Sequence, residues 1–151
     1  MSFFPKYVLK RIFPPDALCN VDYNGDGQAD HWQVSAINVM MPFSVSELKA
    51  WNLNLEDVAQ VYLNDEELDV KKFLAFYEGK QYDIASFYED EDLIIPVGAR
   101  AKVLYPKPGG LPLGLHVMKS RYSWEQFSGT IEIKLSITEE RACVPFSPDF
   151  D

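Results

Sequence analysis

The residues with the clearest capacity for chemistry are oxygen-bearing side chains spaced along one short, glycine-containing segment. Asp22, Asn24 and Asp26 alternate with other residues, Gly27 follows, and Asp30 stands at the ninth position of the pattern. In a calcium loop, positions 1, 3 and 5 supply oxygen ligands, position 6 is a glycine at a sharp turn, and position 9 often reaches the ion through water. The spacing is thus that of a Ca²⁺ loop, with these four polar side chains as the candidate ligands.

The same segment has a second interpretation. Gln33 stands at the twelfth position, where an EF-hand has a bidentate carboxylate, and no helical pattern flanks the segment, so an EF-hand is excluded. Asn24-Gly25 and Asp26-Gly27 are also pairs that tight β-turns favour. Two alternatives stay open: a dockerin-like or solitary calcium loop, and a tight turn that binds no metal.

The other residues that could do chemistry form no pattern typical of an enzyme. The two histidines, His31 and His116, have no serine or cysteine partner in an arrangement suited to nucleophilic catalysis. Carboxylates come in runs such as Glu66-Glu67 and residues 89–92, and nothing singles out two of them for a glycosidase mechanism. We expect a structural or hydrogen-bonding role for His116 and no catalytic residue in this chain.

Composition narrows the class of protein. With 151 residues, 47% of them hydrophobic, the chain predicts one domain with a packed core. A net charge of −9 repels phosphate backbones and anionic membrane surfaces, which excludes nucleic acid and membranes as expected partners. No segment resembles a signal peptide or a membrane span, and Cys19 and Cys143 are expected to be free thiols, so a cytoplasmic location is predicted.

The elements that must position these residues are mostly short strands. Residues 131–138 alternate apolar and polar side chains with a period of two, and residues 115–124 precede them as the other strand of a hairpin. Further strands are predicted over residues 6–13, 32–39, 58–63, 74–77 and 99–105, and short helices over 44–51 and 83–88.

This pattern predicts an all-β fold, an antiparallel β-sandwich of jelly-roll-like type with one or two short helices. We predict a single sandwich domain over residues 1–140. Residues 141–151, with Pro145 and Pro148, are predicted to be a C-terminal tail that either frays or docks on a partner.

Several separated segments carry a resemblance to a known family. They are Pro5 to Arg11 (PKYVLKR), Ala17 to Asn20, Asn38 to Pro42, and Gly109 to His116 (GGLPLGLH). Together they resemble the small (β) subunit of the bacterial C-glycoside deglycosidases. The resemblance is spread over most of the chain, and its first and last segments are the most specific.

The resemblance implies a division of labour between two subunits. The large partner of that family is a sugar-isomerase-like TIM barrel that holds a divalent metal, usually Mn²⁺, and acts on a C-glycoside already oxidised to the 3-oxo sugar. The ketone acidifies the proton at C2, so that a base removes it, the metal stabilises the enolate, and the aromatic carbon leaves from C1. The small subunit is then a non-catalytic accessory in a hetero-oligomer, with Lys10, Arg11, Asn38 and His116 expected to face the partner or the rim of its site.

An alternative function comes from a different class. The acidic segment from Asp22 to Asp30 and an aromatic content of 14% would also suit a calcium-stabilised carbohydrate-binding module, since aromatic rings stack on the apolar faces of sugars.

Overall fold

The computed structural model describes residues 6–39, 41–54, 59–124 and 127–148. Some predicted features extend to Pro5, Met40, Val58 and residues 149–151, which lie outside the described residues. The elements are, in chain order, α1 (Lys6–Ile12), β1 (Leu18–Asp22), β2 (His31–Ile37), β3 (Phe43–Ser44), α2 (Val45–Ala50), β4 (Ala59–Leu63), β5 (Glu66–Glu67), β6 (Leu74–Tyr77), β7 (Lys80–Tyr82), α3 (Ile84–Glu89), β8 (Ile94–Ile95), β9 (Arg100–Pro106), β10 (Gly114–Trp124), β11 (Phe127–Ile137) and β12 (Val144–Pro145).

Two sheets form the body of the protein. The larger has the strand order β12-β1-β2-β9-β6-β7, the smaller the order β11-β10-β4-β5, and β3 and β8 form a separate pair. Strand pairs are antiparallel except β1 with β12. The predicted all-β antiparallel sandwich is confirmed, and the described residues hold three short α-helices where one or two were expected.

The main core lies between the two sheets. Leu18, Trp32 and Val34 of the larger sheet pack in one cluster with Leu135 and Ile137 of the smaller. Alternation along each strand supplies these residues, because every second side chain points to the same face. Burial of this apolar surface, at about 25 cal/mol per Å², is the main force that holds the sheets together.

A second apolar cluster covers the opposite face of the larger sheet. Cys19 and Leu104, which alternate with the main-core residues, pack there with Phe76 and Phe146. Phe146 follows β12, which pairs with β1, and the amine of Lys102 donates to the carbonyl of Ser147 at 2.8 Å. Residues 144–148, part of the predicted tail, thus pack on the chain's own sheet.

One predicted strand is wrong. Residues 6–13 were expected to be extended, but Lys6–Ile12 form α1, and the N–H of Phe13 donates to the carbonyl of Leu9 at 2.8 Å. Leu9 is buried and Phe13 packs against the main core, so the apolar spacing that matters is four residues and not two. Lys10 and Arg11 lie in the last turn, where positive charge is favourable to the helix dipole.

Several other elements form where local sequence signals predict them. The β10–β11 hairpin pairs from Gly114 with Ile137 to Trp124 with Phe127. The expected helices form as α2 and α3, with Ser44 and Asp83 as N-caps. Across the part of the chain that the structure describes, no helix is long and apolar enough to cross a membrane.

Candidate functional site

The acidic segment between β1 and β2 brings three carboxylates together. Asp22, Asp26 and Asp30 each place one carboxylate oxygen within 4.8 Å of the others. Ligand oxygens of calcium lie about 2.3–2.6 Å from the ion, so oxygens on opposite sides of it are about 5 Å apart. The spacing of the three oxygens therefore fits a Ca²⁺ ion between them.

Backbone hydrogen bonds hold this arrangement in place. The Asp22 carboxylate accepts from the N–H groups of Gly25, Asp26 and Gly27 at 2.7–3.1 Å. The Asn24 side-chain oxygen accepts from the Asp26 N–H at 3.1 Å. Since each carboxylate oxygen has two lone pairs, these hydrogen bonds leave acceptor capacity for a cation. The same hydrogen bonds would also stabilise a tight turn that binds no metal. The geometry is therefore compatible with both the calcium loop and the metal-free turn.

Asp30 closes the segment on its other side. Its carboxylate accepts from the N–H groups of Tyr23 and Asn24 at 2.9 and 3.0 Å and from Nδ1 of His31 at 2.7 Å. Burial acts to raise the pKa of Asp30, but the hydrogen bonds from His31, Tyr23 and Asn24 outweigh it and lower that pKa below its usual value. Asp30 is therefore held as a carboxylate, the form a cation requires.

The predicted exclusion of an EF-hand agrees with the position of Gln33. This residue lies within β2, is buried, and donates from Nε2 to the sulfur of Cys19 at 3.7 Å. Its side chain lies on the face of the sheet away from the main core and cannot complete the acidic segment as a twelfth-position ligand.

His116 lies inside the sandwich, with only 4% of its surface exposed. Its Nδ1 is 2.9 Å from the side-chain nitrogen of Asn64, and its Nε2 is 2.8 Å from the carbonyl oxygen of Pro112. The amide of Asn64 can only donate from that nitrogen and the carbonyl of Pro112 can only accept, which fixes a neutral ring protonated on Nε2. Both ring nitrogens are thus used to hold the fold.

Asn64 makes this arrangement possible. It lies at the tight turn between β4 and β5, and its side-chain oxygen accepts from the N–H of Val117 at 2.9 Å. The expected hydrogen-bonding role of His116 agrees with this geometry. Its expected place facing a partner or a rim does not, because the buried ring cannot lie at an exposed surface.

A buried side-chain amide next to this region is a structural residue that the sequence analysis does not predict. Asn20, 1% exposed, donates from Nδ2 to the carbonyl of Leu111 and accepts the Leu111 N–H at Oδ1, both at 2.8 Å. A Cβ on Gly110 would lie 2.5 Å from Cγ of Asn20, so glycine is required there. The sequence signals were a polar residue inside the apolar run Leu18–Val21 and the place of Asn20 in the segment Ala17 to Asn20 that carries the resemblance.

The remaining predicted contact residues lie on other elements. Lys10 and Arg11 are exposed on α1, and Lys10 lines a cleft of about 330 Å³ between that helix and residues 132–135 of β11. Asn38 is half-buried after β2, and its Nδ2 donates to the carbonyl oxygens of Met41 and Pro96 at 3.0 and 3.2 Å.

The four predicted contact residues therefore do not share one site. Lys10 and Arg11 belong to a helix surface, Asn38 ties two loops together, and His116 is internal. Among them, Lys10 and Arg11 alone present a largely exposed side chain to solvent.

Comparison with known proteins adds no family to this description. No protein-family model matches the chain, and no curated protein matches it significantly.

Proposed function

We propose that this chain is the non-catalytic small subunit of a cytoplasmic C-glycoside deglycosidase. In this proposal a metal-dependent TIM-barrel subunit removes the C2 proton of a 3-oxo C-glycoside and releases the aromatic aglycone from C1. The small subunit supplies a rigid β-sandwich that docks on the barrel. Two free cysteines, Cys19 and Cys143, are in keeping with the reducing environment of the cytoplasm.

The observation that carries this proposal is that polar groups in Gly109 to His116, one of the two most specific segments of the resemblance, form hydrogen bonds inside the chain. The backbone N–H and carbonyl of Leu111 form hydrogen bonds with the side chain of Asn20. The ring of His116 forms a hydrogen bond with the side chain of Asn64. A family signature whose polar groups serve the fold suits a subunit that contributes architecture. A catalytic histidine would need a ring nitrogen available to substrate.

Co-expression tests the proposal directly. The chain is produced with a barrel subunit of a C-glycoside deglycosidase encoded in the same genome, and the complex is sized by chromatography with light scattering. We expect a stable complex with an interface of roughly 2,000 Å² or more. Release of the aglycone from a 3-oxo C-glycoside should require the barrel subunit, and the isolated chain should give no turnover.

A His116→Gln variant sharpens the result. If His116 only supports the fold, any variant that still folds and assembles should leave the complex active. An assembled and folded variant complex without turnover would contradict the accessory role, as would turnover by the isolated chain.

A second candidate function is a calcium-stabilised carbohydrate-binding module. The observation that favours it is the convergence of Asp22, Asp26 and Asp30. If they bind calcium, the ion stabilises the folded state, so the melting temperature should rise with the logarithm of the calcium concentration once that concentration exceeds the dissociation constant.

Differential scanning calorimetry with added Ca²⁺ and with chelator tests this candidate. Asp26→Asn should abolish the calcium-dependent rise, whereas Asp16→Asn, an exposed carboxylate outside the cluster, should keep it. A melting temperature that responds to neither calcium nor chelator would reject the candidate. Binding of soluble glycans, with Trp51→Ala as the variant that removes a half-exposed ring, tests the sugar-binding part.

A further inference from the structure

The strand β11 gives the smaller sheet one long free edge. It has 11 residues, Phe127–Ile137, and pairs with β10 alone within the part of the chain that the structure describes. The other edge strands of the two main sheets, β5, β7 and β12, have two, three and two residues. A short edge strand offers little backbone to another chain, whereas a long one is a template for a further strand.

The usual protections of an edge strand are largely missing from β11. The strand contains no proline, and its register with β10 runs without a bulge. Its inward positions are apolar, with Leu135 in the main core and Ile133 packed against it. Its charged side chains are Glu132 and Lys134, both exposed and of opposite sign. Such an edge repels only a strand that meets these charges with like charges.

The backbone of Lys134 points away from β10. Val117, opposite Lys134 in the hairpin, donates its N–H to the side-chain oxygen of Asn64 at 2.9 Å and accepts from the N–H of Asn64 at 2.8 Å. Val117 therefore bonds on the side of β4, and the N–H and carbonyl of Lys134 face the free edge. The direction repeats at every second residue, because the carbonyl of Ser136 accepts from Nη2 of Arg141 at 3.3 Å outside the sheet.

The cleft of about 330 Å³ between α1 and β11 opens at this edge, since side chains from both faces of β11 line it. Its apolar lining comes from Leu9, Phe13, Ile133 and Leu135. A strand added to β11 would direct every second side chain toward this lining. Two lysines and one glutamate also line the cleft, so its local charge is positive although the whole chain carries −9.

The edge of β11 is complementary to a second copy of itself. If two β11 strands pair antiparallel about Ile133, Glu132 of each copy lies opposite Lys134 of the other. These residues are the ones whose backbones face the free edge, so each such pair can exchange hydrogen bonds in both directions. Opposite charges directly across two strands are also stabilising. A register centred on Glu132 or on Lys134 would instead set like charges against each other. On the apolar face, Ile131 of one copy lies opposite Leu135 of the other.

We propose that two copies of this chain pair edge to edge through β11, so that their smaller sheets join into one sheet across a two-fold axis at Ile133. Such an interface is isologous, because each copy offers the other the same strand. The pairing goes beyond the proposed function and does not depend on it, since it uses no residue of a barrel subunit.

Charge reversal on the exposed face of β11 tests both the pairing and its register. Lys134→Glu sets negative charges opposite each other, Glu132→Lys sets positive charges opposite each other, and the double variant restores opposite charges. Lys80→Glu is the matched control for the change in net charge, because Lys80 is exposed on β7 of the other sheet. Analytical ultracentrifugation of the full chain measures the dissociation constant of the dimer, and the melting temperature of each variant shows that it folds.

We expect the wild type to form a dimer and each single reversal on β11 to weaken it by about ten-fold or more, since two favourable cross-strand pairs become unfavourable. The double variant and Lys80→Glu should dimerise like the wild type. A mixture of Lys134→Glu and Glu132→Lys should form a heterodimer, because one strand then carries two glutamates and the other two lysines. A wild-type chain that stays monomeric up to its solubility limit would overturn the proposal. So would a dimer that the single reversals leave intact, or a folded double variant that stays monomeric.

Discussion

The side-chain amide of Asn20 and the backbone of Leu111, 91 residues apart in sequence, form two hydrogen bonds of 2.8 Å inside the sandwich. This pair ties the middle of β1 to the loop that leads into β10. Both partners are buried, so each hydrogen bond satisfies a group that water cannot reach.

Asn20→Ala should therefore be strongly destabilising. It leaves the N–H and the carbonyl of Leu111 buried without their partner, and we expect the free energy of unfolding to fall by about 2–4 kcal/mol. Urea denaturation at neutral pH measures the change. Gln28→Ala, which removes an exposed side chain, should stay within about 0.5 kcal/mol of the wild type.

Gly110→Ala probes the same contact from the other side. Its φ of +74° is unfavourable for alanine, and its Cβ would lie 2.5 Å from Cγ of Asn20. The double variant Asn20→Ala with Gly110→Ala should cost less than the sum of the single variants, because removal of the amide relieves the clash. Strictly additive costs in urea denaturation would contradict the close approach.

Glycine substitutions at two neighbouring turn residues distinguish the contribution of the Asn64 side chain from the backbone conformation that the turn requires. Asn64 and Asp65 have φ values of 50° and 68°, so glycine suits the backbone at either position. Asn64→Gly loses the hydrogen bonds to His116 and Val117 and should cost about 1–3 kcal/mol. Asp65→Gly loses only an exposed ion pair with Lys119 and should cost about 0.5 kcal/mol or less. Equal costs in urea denaturation would show that the side chain of Asn64 adds nothing.

Much of the sheet structure could be predicted because its signals are local. The alternation along residues 131–138 and the hairpin that it forms with residues 115–124 depend on neighbouring residues alone, and the structure has both. The spacing of Asp22, Asp26 and Asp30 along one short segment is also a local signal, but only the fold shows that one carboxylate oxygen of each lies within 4.8 Å of the others.

The sequence does not predict those features that depend on contacts between residues far apart in the chain. The apolar residues of α1 are dense enough to suit either a strand or a helix, and only packing of Leu9 and Phe13 on the core selects the helix. The partners of Asn20 and His116 lie 91 and 52 residues away, so no local pattern could reveal that these polar groups are internal.

Asp30 should make stability depend on pH in the acid range. Its pKa is lowered in the folded protein, so its contribution is present above the pKa of the unfolded chain, about 4, and is lost as the pH falls through the folded value. Asp30→Asn should lower the free energy of unfolding by about 1–2 kcal/mol at pH 7. The gap to the wild type should narrow below about pH 4. Denaturation curves across this pH range measure the difference in free energy of unfolding between the two proteins. A difference that does not change with pH would contradict the hydrogen-bonded carboxylate.

Tyr82 should produce the opposite dependence in the alkaline range. Burial, together with the hydrogen bond to Asp90 at 2.9 Å and the charge of that carboxylate, raises the pKa of Tyr82 from 10.0 to about 12. A raised pKa contributes stability that is fully present below the unfolded value and is lost as the pH rises through the folded one. Tyr82→Phe should therefore lower the free energy of unfolding by about 1 kcal/mol at neutral pH.

This difference should disappear between pH 10.0 and about 12, as the wild-type tyrosine ionises. Tyr62→Phe is the control, because the hydroxyl of Tyr62 donates to Gln60 at 3.3 Å in an exposed position and its loss should matter little at any pH. Guanidinium denaturation of the three proteins from neutral to alkaline pH makes the comparison. A Tyr82→Phe variant as stable as the wild type at neutral pH would show that the hydrogen bond to Asp90 contributes nothing to stability.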